Sequence, residues 1–178
     1  MPGKFVVPEV VVTHFGLAEG YTVGDFGAGG GFYLKPLSAA VGPSGKLYAC
    51  DIQKQLVDKL GDQARLLGLQ NVAPLWCDLE EVGGIKLPNA TLDVGLLINT
   101  LFLFEDKATG LTECVRVIKP GGTLVILDWS ESFGGMGPRP EDVVTKDTAI
   151  LLAEAAHLMY EREFPAGDHH YGIVMRKV

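Results

Sequence analysis

The chain has 178 residues, enough for one domain with a buried core, and 47% of them are hydrophobic, as in a folded globular protein. Its formal charge is −7, its pI is about 5.0, and no lysine and arginine cluster interrupts this acidity, which argues against duplex nucleic acid or an anionic membrane as the main partner. A small neutral or cationic ligand suits the charge better.

The three cysteines also restrict the class of protein. Cys50, Cys77 and Cys114 are far apart and form no C-x-x-C pair, so neither a zinc site nor a disulfide framework is predicted. The first ten residues, MPGKFVVPEV, lack the features of a signal peptide, and no run of about 18 apolar residues predicts a membrane span. We therefore expect buried thiols in a cytoplasmic protein.

Hydrophobic patterns and turn signals alternate strands with helices along the chain. A short helix-like segment is predicted at about 8–15. Strands follow at 22–26, 46–50, 72–76, 92–98 and 123–129. The fourth, LDVGLLI, is a nearly continuous apolar run, typical of a strand covered on both faces. Helices are predicted at 52–67, closed by Gly68, and at 106–118, ended by KPGG, in which Gly121-Gly122 indicates a helix stop and tight turn.

The last fifty residues differ in character. SESFGGMGPRP predicts a long loop, with 134–139 as either a mobile lid or a surface loop. A helix is predicted through TKDTAILLAEAA, and HLMYEREFP and HHYGIVMRKV predict an antiparallel hairpin with a turn at 166–168. Together these elements predict one doubly wound α/β domain over 1–178, with a mainly parallel sheet and an antiparallel strand at its C-terminal end.

The first strand ends in a glycine-rich loop, VGDFGAGGGF, at the sheet edge where such folds bind ligands. The dinucleotide pattern G-x-G-x-x-G fails because Phe32 stands where the third glycine belongs, and no G-K-[ST] loop is present. The pattern D-x-G-x-G-x-G fits at Asp25, Gly27, Gly29 and Gly31. A carboxylate in this place suits a cationic amino group rather than a pyrophosphate.

This loop resembles the first motif of the class I S-adenosylmethionine-dependent methyltransferases. The resemblance runs from about 23 to 129 and includes IKPGGTLVILDW, while HHYGIVMRK is similar to small methyltransferases of the quinone-biosynthesis type. It implies a Rossmann-like, mainly parallel seven-stranded sheet with an antiparallel C-terminal hairpin. It also implies S-adenosylmethionine as cofactor and S-adenosylhomocysteine as product. The implied cofactor-binding residues are Asp25, Gly27, Ala28, Gly29, Gly31, Asp51, Ile52, Asp78, Leu79 and Asn99.

Two of these carboxylates have specific implied roles and structural alternatives. Asp51, at the end of the second strand, is implied to accept hydrogen bonds from the ribose, as acidic residues do at that place in nucleoside-binding sheets. It also fits an N-cap of the following helix. Asp78 is implied to meet the adenine amine and also fits a turn. The glycines, likewise, fit either ligand approach or packing alone.

Catalytic residues are harder to predict, because methyl transfer depends mainly on holding both reactants in position. Asn99 and His170 are the candidates, His170 as a base or as a surface residue. The candidate substrate-binding residues are Phe102, Trp129 and Tyr171, of which the first two also fit the core. Since Asn99 stands where a second acid beside Asp128 is expected in a magnesium site, we expect no metal.

The sequence therefore predicts a methyltransferase with an unidentified acceptor. The few residues outside the predicted sheet fit either a small-molecule acceptor, which the prediction favours, or an open site docked against a larger one. Two other classes remain open. One is a cofactor-binding but inactive subunit that supports a partner enzyme. The other is an NAD(P)-dependent oxidoreductase, against which the missing third glycine and the lack of a Tyr-x-x-x-Lys pair argue. The oligomeric state is not predicted.

Overall fold

A seven-stranded sheet forms the centre of the computed structural model, which describes residues 6–178. The strands are β1 (Thr22–Phe26), β2 (Lys46–Asp51), β3 (Val72–Trp76), β4 (Leu92–Ile98), β5 (Ile118–Trp129), β6 (Leu158–Phe164) and β7 (His170–Lys177). Their spatial order is β3-β2-β1-β4-β5-β7-β6. The pairs among β1 to β5 are parallel, and β7 lies antiparallel between β5 and β6. The predicted fold class, including the C-terminal hairpin, is confirmed.

Helices pack on both faces of this sheet. They are α1 (Pro8–Val11), α2 (Leu34–Val41), α3 (Lys54–Leu66), α4 (Lys107–Val117) and α5 (Lys146–Ala155), with 3₁₀ turns at Val12–His14, Leu101–Leu103 and Pro140–Asp142. Leu111 of α4 and Ala149 of α5 belong to one apolar core, which also holds Leu97 of β4. Leu60 of α3 belongs to the other core, with Leu96 of β4. Strand β4 is therefore covered on both faces, as its continuous apolar run predicts.

Most predicted elements lie where the sequence places them, and the differences have local causes. Helix α3 begins at Lys54, two residues later than predicted, because Asp51 Oδ1 accepts a hydrogen bond from Gln53 N at 2.9 Å and holds a turn there. The pattern did not single out α2, which has eight residues and contains Pro36 in its first turn. Proline is tolerated in that turn, where backbone N–H groups lack helical partners.

Strand β5 begins five residues earlier than predicted. Ile118 already pairs with Leu92, and regular pairing resumes with Thr123 opposite Val94. The KPGG segment between them is therefore an irregular part of the strand rather than only a helix stop. Gly121 takes a φ of +76° there, a backbone conformation that glycine adopts without steric penalty.

The remaining predictions concern the cysteines, membrane spans, the domain limits and the N-terminus. Cys50, Cys77 and Cys114 are buried free thiols, as predicted. No helix in the part of the chain that the structure describes is long and apolar enough to cross a membrane. The predicted domain limits and the interpretation of the N-terminus include residues 1–5, which lie outside the described residues.

Candidate functional site

A cavity of about 460 Å³ lies at the carboxyl ends of β1, β2, β3 and β4. It is placed where the strand order reverses between β1 and β4, the usual ligand position in open α/β sheets. The structure brings together here all the predicted cofactor-binding residues except Gly31. Those that line the cavity are Asp25, Gly27, Ala28, Gly29, Asp51, Ile52, Asp78, Leu79 and Asn99.

The three motif glycines of the loop after β1 share positive φ values but differ in what surrounds them. Gly27, Gly29 and Gly31 have φ values of +80°, +53° and +75°, which side chains other than glycine rarely adopt. A Cβ on Gly29 would come no closer than 3.8 Å to any neighbour, so the backbone there leaves open space. A Cβ on Gly31 would instead overlap the side chain of Gln63 on α3. Gly31 thus fits the packing alternative, and its role toward a cofactor stays a prediction.

Asp25 places a buried carboxyl group against the cavity. The residue is 2% exposed, and none of the residues 6–178 donates a hydrogen bond to its side chain. Burial, and then the nearby charge of Asp51, raise the pKa of Asp25 to about 7. A buried carboxylate without a partner is unfavourable, and a cationic ligand group would relieve both effects.

Asp51 joins the glycine loop to the start of α3. Its Oδ2 accepts a hydrogen bond from Gly29 N at 3.0 Å, and its Oδ1 accepts one from Gln53 N at 2.9 Å. The N-cap residue of α3 is Gln53 itself, so Asp51 supports the turn before the helix rather than capping it. Asp78 makes a similar turn, in which its Oδ1 accepts from Glu80 N at 3.0 Å. Both carboxylates thus have a structural bond and also line the cavity.

Asn99 ends β4 in an unusual conformation. Its φ is +52°, a left-handed value that asparagine adopts more readily than most residues. Its backbone N donates to Leu127 O at 2.8 Å, while its side-chain Oδ1 is buried and has no hydrogen-bond partner among the described residues. Such unpaired buried acceptors are rare in native structures, and this one belongs to a residue that lines the cavity.

The predicted substrate-binding residues lie elsewhere. Phe102, Trp129 and Tyr171 are not part of the lining of this cavity. Phe102 packs against the apolar core, whereas Trp129 contacts His170 with 4.2 Å between ring centroids and the two rings tilted by 39°. Tyr171 and His170 line a second cavity at the β6–β7 turn. Their substrate-binding and catalytic roles stay predictions.

Several cavity residues were missed by the sequence reasoning. Most of them neighbour a predicted residue in the chain, which was the available signal. They are Gly30, Phe32, Tyr33, Gln53, Leu56, Glu80, Ile98, Thr100, Leu103 and Phe104. Phe32 is 79% exposed, Leu103 63% and Ile52 54%, so large apolar side chains border the cavity and face solvent.

Comparisons with known proteins show the family of this chain. A family profile described as "Methyltransferase domain" matches residues 24–126. The ubiquinone/menaquinone biosynthesis C-methyltransferase UbiE of Burkholderia multivorans is 35% identical over 113 residues, 63% of this chain and 44% of that protein. The chain thus spans less than half the length of this curated relative. The structure of an S-adenosylmethionine-dependent methyltransferase from Aquifex aeolicus has a TM-score of 0.89 and 36% identity over 98% of this chain and 91% of that one. The chain therefore belongs to the S-adenosylmethionine-dependent methyltransferase family.

Proposed function

We propose that this chain, as a single domain, transfers the methyl group of S-adenosylmethionine to a small-molecule acceptor. The proposal depends mainly on one observation: the carboxyl group of Asp25 is buried without a hydrogen-bond donor from residues 6–178, in a cavity bordered by the glycine loop and Asp51. When bound, the cofactor supplies a methyl group activated by a sulfonium, and it also carries an ammonium group and ribose hydroxyls. The residues present fit each of these groups.

Asp25 is proposed to bind the ammonium group. Ionised Asp25 is unfavourable in the ligand-free protein, because it is buried and because Asp51 repels it. An ammonium group next to it removes both penalties and forms a charge-assisted hydrogen bond, which is stronger than one between neutral groups. The open backbone at Gly29 leaves room for this part of the cofactor.

Asp51 is proposed to bind the ribose. Asn99 is proposed to accept a hydrogen bond from another donor group of the ligand. A carboxylate offers about four acceptor positions, of which the N–H groups of Gly29 and Gln53 use two. The others remain for ribose hydroxyls. Asn99, whose backbone N donates to Leu127 O, lines the cavity and carries a buried Oδ1 without a partner among the described residues, so it is proposed to accept from an N–H or O–H of the bound ligand. Asp78 and Leu79 are proposed to meet the adenine.

The border of the cavity favours an apolar acceptor. Phe32, Ile52 and Leu103 expose large apolar side chains beside the cavity, which a partly apolar acceptor would cover. The names of the curated relatives point to ubiquinone and menaquinone precursors, which we propose as the first acceptors to assay. A cytoplasmic location, based on the free cysteines, and the lack of a nucleic-acid partner, based on the charge of −7, are also proposals.

Cofactor binding and turnover test the proposal in two steps. Calorimetric titration with S-adenosylmethionine, S-adenosylhomocysteine and NAD should show binding of the first two only. Asp25→Asn should weaken it, whereas Asp58→Asn, a matched change on the exposed face of α3, should not. Methyl transfer to a quinone precursor is then followed with labelled cofactor. Binding of NAD alone contradicts the proposed cofactor, and cofactor binding without turnover on any acceptor favours the inactive subunit.

A further inference from the structure

A buried carboxyl group lies at the carboxyl end of β5, behind the cavity that is proposed to bind the cofactor (the cofactor cavity). Asp128 is 1% exposed, and it is not one of the residues that line this cavity. Its strand pairs with β4, where Ile98 lies opposite Leu127. The carboxyl group therefore lies next to the chain segment that leaves β4.

That segment, residues 98–104, forms one wall of the cofactor cavity. Its lining residues are Ile98, Asn99, Thr100, Leu103 and Phe104. After β4 it forms the 3₁₀ turn Leu101–Leu103 before α4 begins at Lys107. A single 3₁₀ turn has poor hydrogen-bond geometry, and the N–H groups at its start have no partner within the turn. The position of this wall therefore depends on what holds it from outside.

The carboxylate of Asp128 holds the start of the turn. Its Oδ2 accepts a hydrogen bond from Phe102 N at 3.2 Å, and its Oδ1 accepts one from Trp129 N at 2.8 Å, which fixes the carboxylate on β5. Burial raises the pKa of Asp128 to about 6, although hydrogen bonds from the backbone of Trp129, Phe102 and Leu101 act in the opposite direction. The group is therefore ionised at pH 8, and a charged acceptor makes the stronger hydrogen bonds.

A lysine holds the other end of the same segment. Lys107 Nζ, at the start of α4, donates to Phe104 O at 2.7 Å. The charge of Lys107 also lowers the pKa of Asp128, so the two side chains influence each other. The turn thus has a negative group at its first N–H groups and a positive group at the carbonyl that follows it. Both charges suit the direction of the peptide dipoles.

The segment also lies against the glycine loop. The hydroxyl of Thr100 is 3.2 Å from Phe26 O and 2.9 Å from Ile98 O, within hydrogen-bond distance of both. A Cβ on Gly27 would lie only 2.7 Å from that hydroxyl, so this side chain and the loop backbone are in close contact. A shift of the segment would therefore change the cavity on the β1 side as well as on the β4 side.

We propose that Asp128 is a positioning residue for the cofactor cavity: its carboxylate holds the 3₁₀ turn Leu101–Leu103 and thereby sets the positions of Asn99 and Leu103 in the wall. Without the carboxylate, the wall is in place in only a fraction of the molecules, and the apparent cofactor affinity falls by that fraction. The effect on cofactor binding rests on the proposed function, whereas the effect on the wall does not.

Asp128→Asn and Glu113→Gln are a matched pair of variants. Glu113 is also buried, at 3% exposed, and its carboxylate accepts hydrogen bonds from Gly83 N at 3.1 Å and Ile85 N at 2.9 Å. Neither of these two loop residues lines the cofactor cavity. Each amide variant keeps the size of the side chain and one acceptor oxygen, but its NH₂ group cannot accept from a backbone N–H. Both should therefore lower the melting temperature.

Cofactor affinity separates the two variants. Calorimetric titration with S-adenosylmethionine at pH 8, below the melting temperature of each protein, should give a Kd about tenfold higher or more for Asp128→Asn. Glu113→Gln should bind as the wild type does. Unchanged binding by Asp128→Asn overturns the proposal. An equal loss in Glu113→Gln also overturns it, because the effect would then come from general destabilisation.

Two measurements on the ligand-free protein need no cofactor. The NMR signals of the Asn99 side-chain amide, assigned from Asn99→Asp, should shift in Asp128→Asn and stay in place in Glu113→Gln. Hydrogen exchange of the wild type should show a protected amide at Phe102, which tests the hydrogen bond if Asp128→Asn does not fold. Unshifted Asn99 signals or an unprotected Phe102 amide overturn the proposal. A wild type that does not bind S-adenosylmethionine contradicts the proposed function instead, and the Asn99 signals still decide the role of Asp128.

Discussion

Replacing Asp25 by asparagine separates the stability of the ligand-free protein from its ability to bind the cofactor. Asparagine has nearly the same shape as aspartate but no charge, so it removes a buried carboxylate that burial and Asp51 both disfavour. The same change removes the proposed partner of the cofactor's ammonium group. We therefore expect the variant to be more stable than the wild type and to bind S-adenosylmethionine more weakly.

The size of the stability gain follows from the pKa of Asp25, which is raised from 3.8 to about 7 in the folded protein. Between these two values the folded state keeps a proton that the unfolded state has released. The stability of the ligand-free wild type therefore falls as the pH rises through this window and levels off above about 7. Since one pKa unit corresponds to about 1.4 kcal/mol, Asp25→Asn should raise the free energy of unfolding by up to about 4 kcal/mol at pH 8.

Urea unfolding of both proteins at pH 4, 6 and 8, without ligand, measures this gain. It should be near zero at pH 4 and largest at pH 8, where it corresponds to an increase in Tm of about 8–16 °C for a domain of this size. Calorimetry at pH 8 should show S-adenosylmethionine binding weakened about 10- to 100-fold. Asp58→Asn should change neither quantity. A variant that is less stable than the wild type at pH 8, or that binds the cofactor equally well, refutes the role given to Asp25.

Three further predictions concern the cavity and the glycine loop beside it. Below about pH 7 the affinity of the wild type for S-adenosylmethionine should fall about tenfold per pH unit, because Asp25 takes up a proton; a flat profile by calorimetry would contradict this. Asp51→Ala should weaken cofactor binding about 10- to 100-fold and move that pH dependence to lower pH, since it removes the charge that repels Asp25; an unchanged pH midpoint would contradict the coupling. Gly31→Ala should lower the free energy of unfolding by about 2–4 kcal/mol, because the added methyl group overlaps Gln63 and lies only 3.0–3.1 Å from the buried Leu60 and Leu34. Gly83→Ala, at a similar φ of +75° but with open space around it, should lower it by only about 1–2 kcal/mol in the same urea experiment, and equal losses would refute the packing explanation.

The sequence was informative where one local rule decides the structure. Asp25 and Asp51 lie near the ends of β1 and β2, and Asp78 and Asn99 follow β3 and β4. Because the carboxyl ends of parallel strands meet at one edge of the sheet, the assembly of these four residues could be predicted from the strand order. The exposed apolar border is different. The direction of Phe32 depends on how the loop after β1 closes, and no periodicity describes such a loop.

Packing between secondary-structure elements could not be predicted from the sequence either. Gly31 matches the motif as well as Gly29 does, but it lies against Gln63 on α3, more than 30 positions further along the chain. The early start of β5 depends on Ile118 pairing with Leu92 across a bulge, which no local propensity indicates. The cofactor could still be predicted without this packing, because the prediction came from the resemblance to a family motif. Such a motif reflects the packed structure without explaining it.

Buried polar groups are paired differently at the two ends of the strands. At the amino end of the strands, Asn71 donates to Ser38 O and Gly42 O and accepts from Ser38 Oγ at 2.5 Å, so the polar groups there are paired within the chain. At the carboxyl end, Asn99 and Tyr171 carry buried polar atoms for which residues 6–178 provide no partner. Because each unpaired group costs about 1–3 kcal/mol, such an arrangement persists only where something other than stability maintains it. At the cofactor cavity, we propose that this reason is ligand binding.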